Sequence, residues 1–253
     1  MVLSEELAAE LNGPPWMYPW RLRDGRDVPL AIAELESVHR TRAEMIESRV
    51  RGALARAGPG AIALDLACNE GWFAHRLLEW GASRVVAIDI REHNLRRAAL
   101  LREHFDIPAG KLELRQADVF ALDPATLGEY DVVLVLGLIY HVENPMGVLR
   151  LARACTRGLC VVESQLTQQV DPIVHGNGRA NELHSADGSF AVVIEIGDNP
   201  LASTGRVLSL VPNRTALEQM AHMAGFETVE FANAHEGQNP QYVRGDRAAI
   251  FAS

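Results

Sequence analysis

Between residues 61 and 165, short apolar runs alternate with longer segments that carry apolar residues at helical spacing. The runs contain few polar residues, which is typical of parallel strands covered by helices on both faces. After the first run, Phe73, Leu77 and Trp80 share one helical face, and Gly81 follows as a C-terminal cap. Five strands with helical crossovers predict an α/β fold built on a doubly wound sheet. The predicted strands are residues 61–66, 84–89, 112–120, 131–136 and 159–162.

The loops that follow these strands are expected to lie together. Right-handed crossovers place the carboxyl ends of parallel strands on one edge of the sheet, where open α/β sheets bind ligands. Residues 214–224 predict a further helix, and residues 226–231 and 247–251 predict a final pair of strands.

Two regions depart from the alternation. We predict that residues 1–57 form an N-terminal arm and helix that act as a lid, and that residues 58–253 form the main domain. Prolines at positions 14, 15 and 19 prevent regular helix in the arm, whereas residues 31–57 have the pattern of a long amphipathic helix. Residues 165–206 are rich in turn signals, and residues 190–196 with 206–211 predict an added hairpin. So long an excursion at the ligand edge predicts that residues 165–211 cover a substrate.

The composition is that of an ordinary globular protein, with 48% hydrophobic and 23% charged residues among 253. Because the sequence has no apolar run of membrane-spanning length and no signal-peptide pattern at its N-terminus, we expect a cytoplasmic protein without a membrane partner. The net charge of −9 works against a large nucleic-acid surface, although it leaves a local basic patch open. Cys68, Cys155 and Cys160 lack a Cys-x-x-Cys spacing, which favours reduced thiols.

The loop after the first predicted strand carries acidic and small residues in the order Asp65-Leu66-Ala67-Cys68-Asn69-Glu70-Gly71. It lacks the Gly-x-Gly-x-x-Gly spacing of dinucleotide folds. The Asp65 carboxylate would repel a pyrophosphate, whereas an aminoacyl ligand offers it an ammonium. The second strand ends at Asp89, whose carboxylate can accept hydrogen bonds from both hydroxyls of a ribose.

This segment resembles the Asp-x-Gly-x-Gly-x-Gly loop of class I S-adenosylmethionine-dependent methyltransferases, with Ala67 and Asn69 in place of two glycines. The resemblance implies a Rossmann-like methyltransferase fold with a seven-stranded, mainly parallel sheet, and S-adenosyl-L-methionine as the cofactor. It assigns Asp89 to the ribose and Asp118 to the adenine amino group; alternatively, Asp118 only initiates a turn. The residues implied to bind the cofactor are Asp65, Ala67, Cys68, Asn69, Gly71, Asp89, Ile90, Asp118, Val119 and Gly137.

Candidate catalytic residues follow the fourth and fifth predicted strands, namely Tyr140, His141 and Glu163. Methyl transfer is an in-line displacement that requires alignment and, for a protonated nucleophile, a proton acceptor. His141 suits a hydroxyl or amine acceptor at neutral pH. The alternative is that His141 only fixes the loop before Asn144 and Pro145.

The aromatic residues of the arm have two interpretations. They either attach the arm to the core or form a lid that offers aromatic faces to a sulfonium or a substrate. We assign Trp16, Tyr18, Arg179 and Arg247 as candidate substrate contacts, which would suit a partly aromatic, anionic acceptor. The arginines between residues 21 and 56 are interpreted as a solvated face rather than an RNA surface.

A metal site is not predicted. His175, Glu182, His184 and Asp187 have side chains that bind divalent ions, but no helical or hairpin spacing presents them together.

A narrower resemblance concerns Gly137-Leu138-Ile139-Tyr140-His141, residues 211–217 and Arg247-Ala248-Ala249. These segments are similar to enzymes of the methyltransferase fold that modify the tRNA wobble uridine with carboxy-S-adenosylmethionine. In that group a tyrosine and an arginine at positions similar to Tyr140 and Arg247 help to hold the extra carboxylate, together with a lysine. That lysine has no counterpart here, because Lys111 is the only lysine in the chain.

Three hypotheses follow for the function. The first is an S-adenosylmethionine-dependent methyltransferase that acts on an oxygen or nitrogen of a small-molecule acceptor. The second is carboxy-S-adenosylmethionine-dependent modification of the tRNA wobble uridine, and the third is a ligand-binding module without catalysis. The oligomeric state stays open.

Overall fold

The computed structural model describes residues 3–168, 188–195 and 207–253. Its strands are β1 (Ile62–Leu66), β2 (Arg84–Asp89), β3 (Leu112–Gln116), β4 (Tyr130–Leu136), β5 (Thr156–Gln165), β6 (Phe190–Glu195), β7 (Val207–Pro212), β8 (Val229–Phe231) and β9 (Arg247–Ala252). Its α-helices are α1 (Glu5–Leu11), α2 (Glu34–Ala57), α3 (Trp72–Glu79), α4 (Glu92–His104), α5 (Pro124–Leu127), α6 (Pro145–Ala154), α7 (Arg214–Met223) and α8 (Pro240–Val243).

The main sheet has seven strands in the order β3-β2-β1-β4-β5-β9-β8. Strands β1 to β5 pair in parallel, and β9 runs antiparallel to both of its neighbours. This topology confirms the predicted α/β, doubly wound, mainly parallel sheet. The chain reverses its direction of progress between β1 and β4, so the loops after these two strands diverge and open a cleft for a ligand.

Helices cover both faces of the sheet, which explains the apolar strand sequences. In β1, Ala63 packs into one core cluster and Leu64 into the other, because neighbouring side chains point to opposite faces. Helices α1 to α4 contribute to the first cluster and α5 to α7 to the second. Helix α2 packs against β4, β5 and β9, which brings the N-terminal region to this side of the sheet.

Three predicted strands differ by more than one residue from those observed, and one of them, predicted at 226–231, covers only Val229–Phe231. The third strand in chain order ends at Gln116 rather than at residue 120, because the Asp118 carboxylate accepts the Phe120 amide and begins a 3-10 turn. The fifth extends to Gln165 because β9 pairs with it there through Arg247.

The added hairpin is confirmed as the antiparallel pair β6 and β7. Residues 169–187 and 196–206 of the predicted substrate cover lie outside the described residues. The cover itself and the division of the chain at residue 58 stay predictions. Within the described ranges, no helix combines the length and the apolar character that crossing a membrane requires.

The loop after β1 has the backbone conformation of a glycine loop even though two glycines are replaced. Ala67, Asn69 and Gly71 have φ angles of 59°, 50° and 79°. Asn69 tolerates this left-handed conformation because its side-chain oxygen accepts the Glu70 amide at 2.8 Å. At Gly71 a Cβ would lie 3.2 Å from the Cβ of Ala98, so the glycine allows close packing of α4. Ala67 has no such compensation and bears the cost of a left-handed alanine, about 1–2 kcal/mol.

We expect Ala67→Gly to raise the free energy of unfolding by up to about 1 kcal/mol, because relief of the left-handed strain exceeds the entropy that an added glycine loses on folding. Urea denaturation measures the change. Ala87→Gly, in the buried interior of β2, is the matched control and should destabilise the protein. Equal destabilisation by both substitutions would contradict the strain at Ala67.

Candidate cofactor and active site

A cavity of about 660 Å³ lies at the cleft between the loops after β1 and β4. Its size is that of a small-ligand site. Its wall combines the N-terminal arm, α2, the loops after β1 to β4 and the first residue of β9. The predicted site residues that line it are Tyr18, Ala67, Asn69, Asp89, Ile90, Asp118, Val119, Gly137, Tyr140, His141 and Arg247. Trp16, Asp65, Cys68, Gly71 and Glu163 are not in its wall, and Arg179 lies outside the described residues.

Asp89 is prepared to accept further hydrogen bonds at one end of the cavity. One carboxylate oxygen accepts the Asn69 amide at 2.8 Å, and the other accepts the Arg91 amide at 2.8 Å and the Asn94 side chain at 3.2 Å. Burial raises the pKa of Asp89, and these donors act against that rise. Since a carboxylate has about four acceptor positions and these donors use three of them, one position remains for a ribose hydroxyl.

Apolar side chains flank the cavity next to Asp89. Ile90 and Phe120 line it and are 45% and 50% exposed, which is unusual for large apolar residues. Val119 lies beside Phe120 in the same wall, and the Asp118 carboxylate caps the turn that carries both. The pair of exposed apolar faces fits a flat heteroaromatic ring. The turn-initiating role of Asp118 is therefore observed, and its contact with an adenine stays a prediction.

Asp65 is a buried acid with an unsatisfied oxygen. Its Oδ2 has no hydrogen-bond partner among the described residues. Burial raises the pKa of Asp65 to about 8, and the neighbouring Asp89 adds to the rise, while the Ala74 amide and Arg42 oppose it. A buried acceptor without a partner fits a cationic ligand group such as an ammonium. Asp65 itself is not in the cavity wall, so its contact with the ammonium of an aminoacyl nucleoside stays a prediction.

Glu163 organises the other end of the cavity. One of its oxygens lies 3.0 Å from Arg42 Nη2, and the other lies 3.0 Å from Arg247 Nη1 and accepts the Tyr242 hydroxyl at 2.8 Å. Burial would raise the pKa of Glu163, but the two guanidinium groups outweigh it and the pKa lies below its usual range. Because Glu163 is fully buried behind the arginines, the geometry assigns it to holding them and does not support the predicted catalytic contact.

The two arginines leave an excess of positive charge at this end. Both line the cavity, both are buried, and they share a single carboxylate. Arg247 Nη1 also donates to the Tyr140 hydroxyl at 3.2 Å. Arg42 was missed by the sequence analysis, because α2 carries several arginines and the sequence does not show which of them turns inwards. A buried guanidinium at this position favours a ligand with an anionic or strongly hydrogen-bonding group.

Two histidines contribute to the same wall. His141 is half-buried, and its ring centroid lies 4.1 Å from that of Tyr140. His39, on α2, is buried, and its ring centroid lies 4.1 Å from that of Tyr18. The sequence analysis predicted the first and missed the second, since the apolar pattern of α2 gives no role to a histidine.

The arm is attached to the cofactor loop through Glu70. Its carboxylate accepts the amides of Met17 and Tyr18 at 3.1–3.2 Å and pairs with Arg97 at 2.9 Å. Trp16 is fully buried, and the Cζ atom of Arg97 lies 4.3 Å from the centroid of the Trp16 ring. The predicted substrate contact of Trp16 is therefore not supported, because this side chain belongs to the core. Tyr18 does reach the cavity, so the arm is attached to the core and also forms part of the ligand wall.

No group of three or more side chains suited to a metal ion occurs in the part of the chain that the structure describes. The four residues considered for a metal, between positions 175 and 187, lie outside that part.

Comparison with known families places this geometry among methyltransferases. A family profile described as a methyltransferase domain matches residues 38–231. Among curated proteins, the tRNA U34 carboxymethyltransferase of Cellvibrio japonicus is 25% identical over 66% of this chain and 52% of its own length. The chain thus spans about half the length of the curated relatives it matches.

Two solved structures resemble this protein over nearly its whole length. The N-terminal domain of EvdMO1 with SAH bound has a TM-score of 0.70 and 25% identity, covering 98% of this chain and 94% of that one. A second structure of the same domain, in the presence of SAH and D-fucose, has a TM-score of 0.69 and 25% identity, covering 99% and 96%. The seven-stranded fold and a nucleoside cofactor thus agree with the sequence prediction.

We expect Asp89→Asn to weaken the binding of S-adenosylhomocysteine by about 1–3 kcal/mol, because an amide replaces a carboxylate that accepts a ribose hydroxyl. Isothermal titration calorimetry measures the affinity. Asp123→Asn is the matched control, since Asp123 caps α5 away from the cavity and asparagine caps equally well. Affinity equal to that of the control would contradict the ribose assignment.

The raised pKa of Asp65 predicts proton release on ligand binding. At pH 7 a carboxyl with a pKa of about 8 is mostly protonated, and pairing with a ligand ammonium lowers that pKa. Binding of S-adenosylhomocysteine at pH 7 should therefore release close to one proton, and the affinity should rise as the pH approaches about 8. Calorimetry in buffers of different ionisation enthalpy counts the protons. Release that persists in Asp65→Asn would assign the proton to another group.

Proposed function

The chain belongs to the methyltransferase domain family, and on that premise we propose that it transfers the methyl group of S-adenosylmethionine to an oxygen or nitrogen of a small-molecule acceptor. The observation that carries the proposal is the single cavity with two chemically different ends. One end offers Asp89 and the left-handed loop to the cofactor, and the other offers tyrosine, histidine and arginine side chains to an acceptor.

The cofactor supplies an electrophilic methyl group on a sulfonium. The protein has to hold the acceptor atom in line with that methyl group and to keep water away. Tyr18 and Tyr140 bring aromatic rings to the wall, and such rings attract a sulfonium cation. Glu70 keeps Tyr18 in place through the backbone of the arm. His141 stays a candidate for orienting the acceptor or accepting its proton.

A sugar hydroxyl is the acceptor class that the comparisons favour for a first test. The EvdMO1 domain was crystallised in the presence of D-fucose, and its likeness covers nearly the whole chain at 25% identity. Arg42 and Arg247 suit such an acceptor, because a guanidinium donates several hydrogen bonds to hydroxyl oxygens or to an anionic substituent on the sugar.

A second candidate function is supported by one specific observation. Arg42 provides a second buried cation that shares Glu163 with Arg247, and Arg247 contacts Tyr140. The resembled tRNA-modifying enzymes use a tyrosine, an arginine and a lysine to hold the carboxylate of carboxy-S-adenosylmethionine. The relatives named tRNA U34 carboxymethyltransferase agree with this alternative. The net charge of −9 works against a tRNA substrate.

Calorimetric titration with S-adenosylmethionine and with its carboxylated analogue, after mass spectrometry has excluded a co-purified ligand, separates the two functions. We expect tighter binding of the ordinary cofactor and formation of S-adenosylhomocysteine when D-fucose or another acceptor of a deoxysugar and phenol panel is added. Arg42→Gln serves as the companion variant and should weaken the carboxylated analogue more than S-adenosylmethionine. Thermal melting checks its folding, because the change removes one of the two arginines that pair with the buried Glu163.

Preference of the unmodified protein for the carboxylated analogue would replace the first function by the second. Binding of neither compound would leave a ligand-binding module without catalysis.

A further inference from the structure

His39 is a buried histidine with a ring nitrogen that the fold leaves without a partner. It is 3% exposed and lines the cavity at its acceptor end. The Met17 backbone acts as a hydrogen-bond partner of the ring, but among the described residues neither ring nitrogen makes a hydrogen bond of ordinary geometry. Buried polar groups are normally satisfied, so an unsatisfied one in a cavity wall indicates a ligand contact.

The surroundings keep this ring neutral. Burial lowers the pKa of His39 well below its usual value, and the charges of Arg42 and Arg247 lower it further. Arg42 lies one helical turn away on α2 and Arg247 on β9, while Glu163 on β5 pairs with both. Tyr18 covers one face of the ring from the arm. A neutral imidazole has one unprotonated nitrogen, which accepts hydrogen bonds.

A second buried histidine shows that the position in the cavity wall, rather than burial or an unsatisfied nitrogen, distinguishes His39. His75, on α3, is also buried and also has an unsatisfied ring nitrogen, and burial lowers its pKa to about 4. Its ring packs edge-on against Trp20 and Phe105 and is absent from the cavity wall. His39 shares these properties with His75 but faces the cavity, and this contrast provides a matched control.

We propose that His39 is a catalytic base that accepts the proton of the acceptor hydroxyl or amine during methyl transfer. The inference rests on the proposed methyltransferase function and names a residue of its acceptor site. Tyr18 positions the ring through a tilted ring contact, and the Met17 backbone on the arm is its hydrogen-bond partner.

The step conserves charge within the cavity. As the acceptor oxygen or nitrogen forms its bond to the methyl carbon, the bond between that carbon and sulfur breaks and its electron pair stays on sulfur. The acceptor proton moves to the unprotonated nitrogen of His39, which becomes an imidazolium. The positive charge lost from sulfur thus appears on His39, and water takes up the proton after the products leave.

A weakly basic histidine suits this step. The ring stays unprotonated beside two arginines, so it is ready to accept a hydrogen bond from the acceptor in the ground state. The acceptor becomes much more acidic as its bond to the methyl carbon forms, so a base of low pKa is sufficient at that moment.

The first test needs no known acceptor. The protein, labelled with ¹⁵N in its histidine rings and saturated with S-adenosylhomocysteine, is followed by NMR, with His39→Gln and His75→Gln assigning the two signals. We expect a neutral His39 ring from about pH 8 down to below about pH 6.5, the ordinary value for histidine. Phenol, added as a hydroxyl probe, should change the ¹⁵N chemical shift of the unprotonated nitrogen of His39. The corresponding chemical shift of His75 should not change.

The second test uses any acceptor that the panel identifies. His39→Gln should lower kcat by about 10²- to 10⁴-fold, the usual contribution of a general base, and leave the affinity for S-adenosylhomocysteine unchanged. His75→Gln should retain kcat, and thermal melting of both variants checks their folding. The pH profile of kcat/KM for the acceptor, measured at saturating S-adenosylmethionine, should stay flat through about pH 6.5, because the pKa of His39 lies below that of an ordinary histidine.

Three results would overturn the inference. They are an imidazolium at His39 at neutral pH, a phenol-induced shift of His141 without one of His39, and full kcat in folded His39→Gln. Absence of methyl transfer to every acceptor of the panel would contradict the proposed function, while the NMR result would still decide whether His39 accepts a hydrogen bond in the cavity.

Discussion

The acceptor end of the cavity depends on one buried carboxylate that holds two arginines. Glu163 on β5 contacts Arg42 from α2 and Arg247 from β9, and it accepts the hydroxyl of Tyr242 from α8. Four elements distant in sequence therefore meet at a single side chain. Because removal of one partner from a buried ion pair leaves an uncompensated charge, typically at a cost of about 3–5 kcal/mol, these elements cannot move apart independently. The rigidity of the arginines, and of the cavity wall they form, follows from that constraint.

The cofactor end has a different physical basis. It comes from the sheet itself, since parallel strands bring the loops after β1, β2 and β3 to one edge regardless of the side chains beyond. The left-handed residues Ala67 and Asn69 show that the backbone path of this loop is retained when glycines are replaced. The two ends are joined by Glu70, a residue of the cofactor loop whose carboxylate fixes the backbone of Met17 and Tyr18.

The sequence was most informative where local patterns determine structure. The order of strands and helices, the loop with Asp65 and the strand end with Asp89 follow from periodicity and turn residues, and the structure agrees with them. Arg42 and His39 were missed because helical periodicity distinguishes faces but does not show which polar residue on a mainly buried face meets a cavity. Trp16 and Glu163 were assigned to ligand contacts from their positions in the chain, yet long-range packing buries both. Burial of polar groups through contacts between distant segments cannot be inferred from spacing.

The positions of the cavity residues along the sequence affect how the protein can be altered. The range that matches the family profile, 38–231, includes the loop after β1 together with Asp65 and Asp89. Tyr18 precedes that range, and Tyr242 and Arg247 follow it. Part of the wall around the two arginines is thus built from chain outside the range that matches the family profile, whereas His39, Arg42 and Tyr140 lie inside it. Exchange of the flanking pieces would change only part of that wall, and the arm could be exchanged only together with Glu70, whose carboxylate holds its backbone.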